Sequence, residues 1–207
     1  DYNREHFRVE DPDLDDPNIF KVIYTGSVRR VNNLGLLVDA AKCVTDPRVK
    51  LLVWGDGDER EALERRVRDE KISNVVFKGK VEKKYIPSIV SRADLNLVHW
   101  EQAPLLKYGV SYNKLFDYMA AGRPIFSTVC PGYSIWEKYD CGRDTEDPRP
   151  EPLARELEKM AALPPEELSR LGENARKGAV EYDFAVLTQK LINVIETERR
   201  EASVCAE

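Results

Sequence analysis

A short stretch between residues 109 and 117 combines residue types that could bind an anion. Gly109, Val110 and Ser111 precede a helical pattern, and Lys114 falls in the first turn of that helix. A cation in this place opposes the helix dipole and costs up to about 1 kcal/mol, unless an anion shares the site. Because free backbone N–H groups at a helix N-terminus bind phosphate, and glycine admits a close approach, the spacing predicts a phosphate beside Lys114.

The same helix carries a second polar pair. Asn113 and Asp117 are four residues apart and therefore share one helical face. One turn behind the predicted phosphate, the Asp117 carboxylate could accept hydrogen bonds from vicinal sugar hydroxyls. The alternative is that Lys114 and Asp117 form only a surface ion pair, and the spacing leaves both interpretations open. Ser111 or Asn113 is the expected N-cap, and Gly122 is the expected end of the helix.

Arg29 and Arg30 supply further positive charge. They follow the first predicted strand and the turn Gly26-Ser27. In a parallel sheet, this loop opens at the same edge as the loop before the Lys114 helix. Two guanidinium groups and one ammonium could then converge on a diphosphate, which arginine recognises with paired hydrogen bonds. The alternative is that the two neighbouring arginines are ordinary solvated residues.

The turn Gly55-Asp56-Gly57 is given a structural interpretation. It follows a strand and opens a helix, as a dinucleotide-binding turn does, but Arg60 stands where the third glycine is required. The carboxylates of Asp58 and Glu59 would also repel a pyrophosphate. We therefore interpret the segment as a tight turn whose acidic residues favour the helix dipole.

Histidine and cysteine usage does not favour metal chemistry. His6 and His99 are the only histidines, and no H-E-x-x-H spacing occurs, so no protein-built metal site is predicted. His99 ends an apolar strand, and we interpret it as a hydrogen-bonded residue of the core or rim rather than a general base. The four cysteines lie far apart without a C-x-x-C pair, which favours a reducing, cytosolic compartment.

Short strands alternate with helical patterns from residue 19 onward. Strands are predicted at 20–25, 49–54, 75–77, 95–99 and 125–129, and helices at 34–43, 59–70, 84–91 and 112–121. After Gly142 only helices are predicted, at 153–163, 166–182 and 185–200, with Asp183 as an N-cap. Strands that are apolar on both faces are typical of a parallel sheet covered by helices. The predicted fold is therefore α/β, a Rossmann-like doubly wound parallel sheet with helices on both faces.

Composition limits what the whole chain can be. The 207 residues carry 32 Lys and Arg against 37 Asp and Glu, a net charge of -5, so no nucleic-acid partner is expected. No stretch approaches the roughly 20 apolar residues of a membrane span. Residues 1–18, rich in Asp, Glu and Pro, are predicted as a linker or an arm of another domain, 19–200 as the folded domain and 201–207 as a tail.

Six motifs carry a family resemblance that covers roughly residues 19–196. In chain order they are 22–27 (VIYTGS), 36–41 (LLVDAA), 52–57 (LVWGDG), 74–79 (NVVFKG), 93–95 (ADL) and 113–124 (NKLFDYMAAGRP). Together they resemble the carboxyl-terminal half of group-1 glycosyltransferases, most of all the branch that builds bacterial surface polysaccharides. The resemblance implies a GT-B enzyme, in which two Rossmann-like domains face each other and the second binds a nucleotide-activated sugar.

The resemblance also implies a reaction and a set of residues. Sugar is transferred with retention of anomeric configuration from a UDP- or GDP-sugar, without a required metal or other cofactor, while positive side chains stabilise the leaving diphosphate. We predict Arg30 and Lys114 as catalytic residues. The predicted donor-binding residues are Gly26, Ser27, Arg29, Glu101, Gly109, Val110, Ser111, Asn113 and Asp117.

Two cationic positions of the family pattern are changed in this sequence. The family often has Arg after the first glycine and Lys five residues later, whereas this chain has Ser27 and Asn32. The cationic role would then pass to Arg29 or Arg30. This substitution makes the residues that contact the diphosphate harder to predict.

The family's two glutamates, eight residues apart, are also changed. The first falls on Gly109 and the second on Asp117. Asp117 keeps a carboxylate, so the resemblance still implies a contact with the ribose, although the side chain has a shorter reach. Gly109 has no side chain to contact the sugar, and Glu101 is the candidate to replace it.

The main hypothesis is the donor-binding half of a retaining glycosyltransferase in polysaccharide or glycoconjugate biosynthesis. The alternatives are a non-catalytic donor-binding subunit that needs a partner chain, and a GT-B-fold sugar-nucleotide epimerase. Since the resemblance places the acceptor site on a missing N-terminal domain, this chain alone is expected to be inactive. We expect a cytoplasmic protein with peripheral contact at the inner membrane face through the full-length enzyme, and base selection by backbone contacts near residues 78–81.

Overall fold

The architecture is a single parallel sheet between two layers of helices. The computed structural model describes residues 2–101, 103–109 and 112–204. The strands lie side by side in the order β3-β2-β1-β4-β5-β6, and every neighbouring pair is parallel. They are β1 (Phe20–Thr25), β2 (Val49–Trp54), β3 (Val75–Gly79), β4 (Leu95–Val98), β5 (Ile125–Ser127) and β6 (Gly142–Asp144). The predicted fold class is confirmed.

Ten α-helices belong to the described part of the chain. They are α1 (Tyr2–His6), α2 (Pro12–Asp15), α3 (Leu34–Cys43), α4 (Arg60–Asp69), α5 (Ile86–Val90), α6 (Asn113–Ala121), α7 (Ile135–Lys138), α8 (Pro150–Ala161), α9 (Pro165–Val180) and α10 (Phe184–Val204). Short 3-10 turns at Arg30–Asn32, Lys83–Tyr85 and Pro104–Tyr108 interrupt three of the loops. Helices follow β1 to β4 in turn, as the alternating pattern predicts, and α7 after β5 is an additional helix that the pattern did not predict.

The central strand β1 shows why both faces of the sheet are covered. Its alternate residues Val22 and Tyr24 pack in one apolar cluster with α3 and α8, while Ile23 packs with Leu52 and Ile89 in a cluster on the other face. All three β1 side chains are completely buried. A strand that buries both sets of side chains favours apolar residues at successive positions, which explains the run from Val22 to Tyr24 in β1.

The prediction that only helices follow Gly142 is wrong. Residues Gly142–Asp144 form β6, which pairs in parallel with β5 at the edge of the sheet. The strand has three residues and no β-branched or aromatic side chain, so it lacks the composition by which strands are recognised. Its position is decided by pairing with β5, a tertiary contact that a local pattern does not contain.

Helix ends agree in part with the cap predictions. Gly122 ends α6 in the left-handed conformation, with φ +68°, and its N–H donates to the Met119 carbonyl. The Asp183 carboxylate accepts from the Ala185 N–H at the start of α10. Both predictions are confirmed. Tyr112, however, is the N-cap of α6 and its side chain makes no capping bond, so the Asn113 alternative is wrong, and Ser111 lies outside the described residues.

The segment before β1 lies against the folded domain. Asp11 caps α2 by accepting from the Asp13 and Leu14 N–H groups, and Leu14 is 3% exposed. The Lys78 ammonium, on β3, donates to the carboxylates of Asp11 at 2.8 Å and Asp13 at 2.5 Å. The predicted linker or arm is thus held to the edge of the sheet by one buried leucine and a network of ion pairs.

Helix α10 contrasts with this packed segment. Phe184 is 86% exposed, and Leu191, Val194 and Ile195 are each at least half exposed. Their spacing places an apolar stripe along a helix whose described side chains are mostly in solvent. The predicted tail at 201–207 begins within the last turn of α10, and residues 205–207 lie outside the described residues.

Candidate functional site

The candidate site is a cleft at the carboxyl ends of β1, β2 and β3. Parallel sheets of this class bind their ligands at this edge, because the strand-to-helix loops open there. The cleft has a volume of about 600 Å³. Its lining residues are Gly26, Ser27, Arg29, Trp54, Gly55, Asp56, Gly57, Lys80, Val81 and Ile86.

Two glycines allow the loops after β1 and β2 to touch through their backbones. A Cβ on Gly55 would lie 1.7 Å from the Gly26 carbonyl oxygen, and a Cβ on Gly57 would lie 2.2 Å from the Val28 carbonyl oxygen. The Val28 N–H donates to the Asp56 carbonyl, which continues the β1–β2 pairing beyond the strands. The two glycines of the Gly55-Asp56-Gly57 turn therefore allow the loops to touch through their backbones. The sequence alone does not show this contact.

Lys114, in the first turn of α6, approaches the cleft at Gly26, although it is not itself one of the lining residues. Its Nζ lies 4.3 Å from the centroid of the Tyr24 ring, and a Cβ on Gly26 would lie 2.6 Å from the same Nζ. The predicted meeting of the Gly26 loop with Lys114 is therefore present, although the two residues are 88 positions apart in the chain. Because Gly26 has no side chain, the Lys114 ammonium can occupy the space beside it.

Burial lowers the pKa of Lys114 to about 8. The ion pair with Asp117, the alternative considered for this lysine, is not formed, and within the described part of the chain no carboxylate is paired with the ammonium. A buried cation without a counter-charge is costly, since desolvation disfavours its charged form. An anion bound in the cleft would relieve that cost.

The two neighbouring arginines are placed differently. Arg29 lines the cleft, and its Cγ would lie 3.1 Å from a Cβ on Gly57. Arg30 is exposed on the 3-10 turn that follows and is outside the set of residues lining the cleft. Of the three predicted cations, Lys114 and Arg29 therefore lie at the Gly26 loop, while the catalytic role of Arg30 stays a prediction.

Ser27 and Asn32, the positions that differ from the family pattern, are joined to each other. The Asn32 side-chain amide donates to the Ser27 carbonyl at 2.6 Å and to its Oγ at 2.7 Å, and Asn32 is buried. The Tyr24 hydroxyl donates to the same carbonyl at 3.1 Å. Neutral hydrogen bonds thus fix the loop at the positions where the resemblance leads one to expect cations.

His99 has the structural role predicted for it. It is completely buried, its Nε2 donates to the Asn33 carbonyl at 3.0 Å, and its Nδ1 accepts from the Thr128 hydroxyl at 2.7 Å. Burial lowers the pKa of His99 to about 4, so the ring is neutral at physiological pH. The imidazole therefore ties together the loops after β1, β4 and β5, and its nitrogens are both occupied.

Asp117 and Asn113 are exposed on α6, away from the cleft lining. Asp117 instead opens on a neighbouring groove that also contains Pro87, Val90 and Ala120. Burial raises the pKa of the Asp117 carboxyl, and the positive charge of Lys83 opposes that shift. The structure does not bring Asp117 together with Gly26, so its contact with a ribose stays a prediction.

The remaining predicted residues precede α6 in the chain. Gly109 adopts φ +90°, and a Cβ there would lie 3.3 Å from the Tyr133 Cβ. Glu101 is exposed in the loop after β4. Val110 and Ser111 lie outside the described residues, so their predicted contacts with phosphate stay predictions.

Sequence reasoning missed Tyr24 and Trp54 as parts of the site. Both are at least nine-tenths buried and end apolar strands, so their pattern indicates core residues only. Tyr24 supports Lys114, and Trp54 lines the cleft. The one available signal was their position at the carboxyl ends of β1 and β2, where ligand contacts concentrate.

Comparison with protein families identifies the chain. The family described as "Glycosyl transferases group 1" matches residues 19–162, which include β1 to β6 and the whole cleft. The chain belongs to the group 1 glycosyltransferases. The resemblance given by the sequence motifs is thus confirmed. TuaH of Bacillus subtilis (strain 168), named as a teichuronic acid biosynthesis glycosyltransferase, is 29% identical over 68 residues, which are 33% of this chain and 17% of TuaH.

Solved glycosyltransferases of the GT-B class share the fold. Anabaena HepE in complex with UDP has a TM-score of 0.70 at 19% identity, covering 94% of this chain and 55% of HepE. TarM of S. aureus, in a complex that contains UDP, gives 0.67 at 17% identity, over 85% of this chain and 35% of TarM. WaaG, a glycosyltransferase involved in lipopolysaccharide biosynthesis, gives 0.64 at 22% identity, over 87% and 48%. This group 1 chain therefore spans about half the length, or less, of the proteins that it matches.

Membrane-spanning helices and metal-binding clusters are both absent from the described residues. No described helix is both long enough and apolar enough to cross a membrane. No cluster of three or more His, Cys, Asp or Glu side chains in the described residues is arranged to hold a metal ion.

Proposed function

We propose that this chain is the donor-binding half of a retaining glycosyltransferase and takes a UDP- or GDP-sugar in the cleft beside Gly26. The observation that carries the proposal is the Lys114 ammonium, held at Gly26 without a carboxylate partner in the described residues. Membership of group 1 supports the activity, and the UDP bound in HepE, which has the same fold, supports the ligand class.

The proposed contacts follow from the geometry of the cleft. The diphosphate lies over Gly26, where the backbone is bare, and accepts hydrogen bonds from Lys114 and Arg29. The base lies toward Lys80 and Val81, at the other end of the cleft. Arg30, exposed on the 3-10 turn that follows, stays a predicted catalytic residue.

The proposed reaction uses these cations at the leaving group. The bond from the anomeric carbon to the diphosphate oxygen breaks, and its electron pair stays on the diphosphate. The acceptor oxygen bonds to the anomeric carbon on the same face, and its proton passes to the departing diphosphate oxygen. Lys114 and Arg29 stabilise the negative charge that develops on the diphosphate. No metal has a required role in this proposal.

The acceptor and the location extend the proposal to the whole protein. The assignment of TuaH to teichuronic acid and of WaaG to lipopolysaccharide biosynthesis supports a bacterial surface polymer as the product. The acceptor binds to a missing N-terminal domain, so transfer by this chain alone is not expected. We place the full enzyme in the cytoplasm, in peripheral contact with the inner membrane.

A second candidate is a donor-binding subunit that works beside a separate partner chain. A chain that spans 55% of HepE fits this candidate and a piece of a two-domain enzyme equally well. The length of the native open reading frame separates the two candidates, because a frame of about twice this length encodes both halves. A stop codon shortly upstream of residue 1 would favour the subunit.

Isothermal titration with UDP and GDP tests the proposed function. Lys114→Ala is expected to weaken binding by about 1 to 3 kcal/mol, since a charge-assisted hydrogen bond to phosphate is lost. Lys159→Ala removes the same charge from the exposed side of α8 and should leave the affinity unchanged. Because the pKa of Lys114 is about 8, wild-type affinity should also fall as the pH rises through this value. Binding of neither nucleotide, or equal effects of the two variants, contradicts the proposal.

A further inference from the structure

Tyr24 lies beside Gly26, one of the residues that line the cleft, and the proposed contacts leave it unexplained. It lies at the carboxyl end of β1, one residue before Thr25, and its side chain is completely buried. A Cβ on Gly26 would lie 2.6 Å from Lys114 Nζ, 3.0 Å from Tyr24 Oη and 3.2 Å from Tyr24 Cζ. The tyrosine, the lysine and the bare glycine backbone therefore converge on one point.

The aromatic ring of Tyr24 contacts the Lys114 ammonium and holds it in position. Lys114 Nζ lies 4.3 Å from the ring centroid, within the range at which an aromatic face attracts a cation. The lysine side chain has four rotatable bonds, and the neighbouring ring restricts the positions that Nζ adopts. A carboxylate in this position would also hold the lysine, but it would neutralise the charge that a phosphate needs. An uncharged ring holds the cation and leaves its charge available.

The hydroxyl of Tyr24 fixes the loop on which the ligand would lie. It donates to the Ser27 carbonyl at 3.1 Å, and the same carbonyl accepts from the Asn32 amide at 2.6 Å. Burial and the neighbouring Tyr118 raise the pKa of Tyr24, so the hydroxyl keeps its proton throughout the physiological range. The carbonyl is thereby engaged by two donors, which holds the backbone from Gly26 to Val28 in place.

We propose that Tyr24 is a positioning residue for the donor diphosphate: its ring holds the Lys114 ammonium over Gly26, and its hydroxyl fixes the Ser27 carbonyl of the adjoining loop. This inference rests on the proposed function and goes beyond it. Tyr24 acts through Lys114 and Ser27 and does not itself touch the nucleotide. It accounts for a buried tyrosine between the apolar residue Ile23 and the turn at Gly26.

A double-mutant cycle for UDP binding tests the inference. Tyr24→Leu should weaken UDP binding about tenfold, because a partly desolvated cation–π contact contributes on the order of that factor. In the Lys114→Ala background, the same Tyr24→Leu change should have a much smaller effect, no larger than that of Tyr24→Phe in the wild type, because only the hydroxyl contact with Ser27 remains to be lost. Tyr24→Phe keeps the ring and should retain most of the affinity. Circular dichroism and thermal melting of each variant establish that it is folded.

Nuclear magnetic resonance of lysine labelled with carbon-13 at Cε gives an independent readout without any nucleotide. A ring 4.3 Å from Nζ should shift the Lys114 Cε–H signals upfield, and Lys114→Arg assigns them by their disappearance. The shift should persist in Tyr24→Phe and vanish in Tyr24→Leu. If Tyr24→Leu does not fold, Tyr24→Met replaces it in both experiments.

The outcomes separate this inference from the proposed function. If wild type binds neither UDP nor GDP, the proposed function fails and the inference falls with it, whatever the spectrum shows. If the wild type binds UDP, two outcomes overturn the positioning role alone. Either Tyr24→Leu binds UDP as tightly as the wild type, or Tyr24→Leu weakens UDP binding by the same factor with and without Lys114. An unshifted Lys114 signal in the wild type overturns it as well.

Discussion

Gly26 is the residue at which the absence of a side chain matters most to the cleft. Its α-carbon faces the Lys114 ammonium and the Tyr24 ring, and its carbonyl touches the backbone of Gly55. The glycine was predicted from its place after β1, but the two side chains that use its empty space come from the strand and from a distant helix. Glycine is favoured at this position because neighbouring side chains fill the space of a Cβ, and its backbone freedom is a second reason.

Gly26→Ala is therefore expected to weaken UDP binding at least as strongly as Lys114→Ala. The added Cβ would lie 2.6 Å from Lys114 Nζ, so the ammonium would have to leave its place. Gly35→Ala is the matched control, because a Cβ at Gly35 in α3 would meet nothing closer than 3.9 Å. Isothermal titration of both variants checks the prediction, and similar affinities for the two would contradict it.

The His99 imidazole links the loops at the carboxyl ends of β1, β4 and β5 by hydrogen bonds. His99 bonds to the Asn33 carbonyl and the Thr128 hydroxyl while being completely buried. Its pKa of about 4 in the folded protein is well below the roughly 6.5 of an unfolded histidine. Neutral His99 therefore contributes stability at higher pH, and that contribution is lost as the pH falls from about 6.5 through 4.

His99→Gln is expected to make unfolding less dependent on pH in that interval. The substitution removes the group that takes up a proton on unfolding, and it costs about 1 to 3 kcal/mol at pH 7 if the Thr128 or Asn33 group loses its partner. Urea denaturation at several pH values between about 4.5 and 7.5 measures both effects. An unchanged pH dependence in His99→Gln would show that another group controls it.

The elements themselves were largely predictable from the sequence. The bounds of β1, α3 and β2 agree with the predictions, because each has a continuous apolar run or a clear amphipathic period. β6 was missed, since its pairing with β5 is a tertiary contact. The meeting of Lys114 with Gly26 follows from their places at a helix start and a strand end, while their contact with a donor stays a prediction. The rotation of α6 that turns Asp117 toward another groove depends on packing, which the spacing does not specify.

The whole molecule divides into a densely packed body and an exposed final helix. Leu115 on α6 is completely buried beside Trp136, whereas Leu191 on α10 is 60% exposed. The same residue type thus lies in two environments within a single chain. Free energy of unfolding should depend on the first and hardly on the second, because only buried side chains leave a cavity when they are shortened.

Leu115→Ala should lower the free energy of unfolding by about 2 to 5 kcal/mol, while Leu191→Ala should change it by less than about 0.5 kcal/mol. Urea denaturation followed by circular dichroism measures both values. A large effect of Leu191→Ala would mean that α10 packs against another surface in solution. Concentration dependence of that effect would then identify the surface as a second copy of the chain.

The backbone contact between the loops after β1 and β2 also limits how this cleft can be re-engineered. A side chain at Gly55 would run into the Gly26 carbonyl at 1.7 Å, and one at Gly57 would run into Val28 at 2.2 Å. Libraries randomised at these two glycines should therefore yield mainly unfolded clones. Lys80 and Val81 border the same space without such a collision, so diversity aimed at a new nucleotide belongs there.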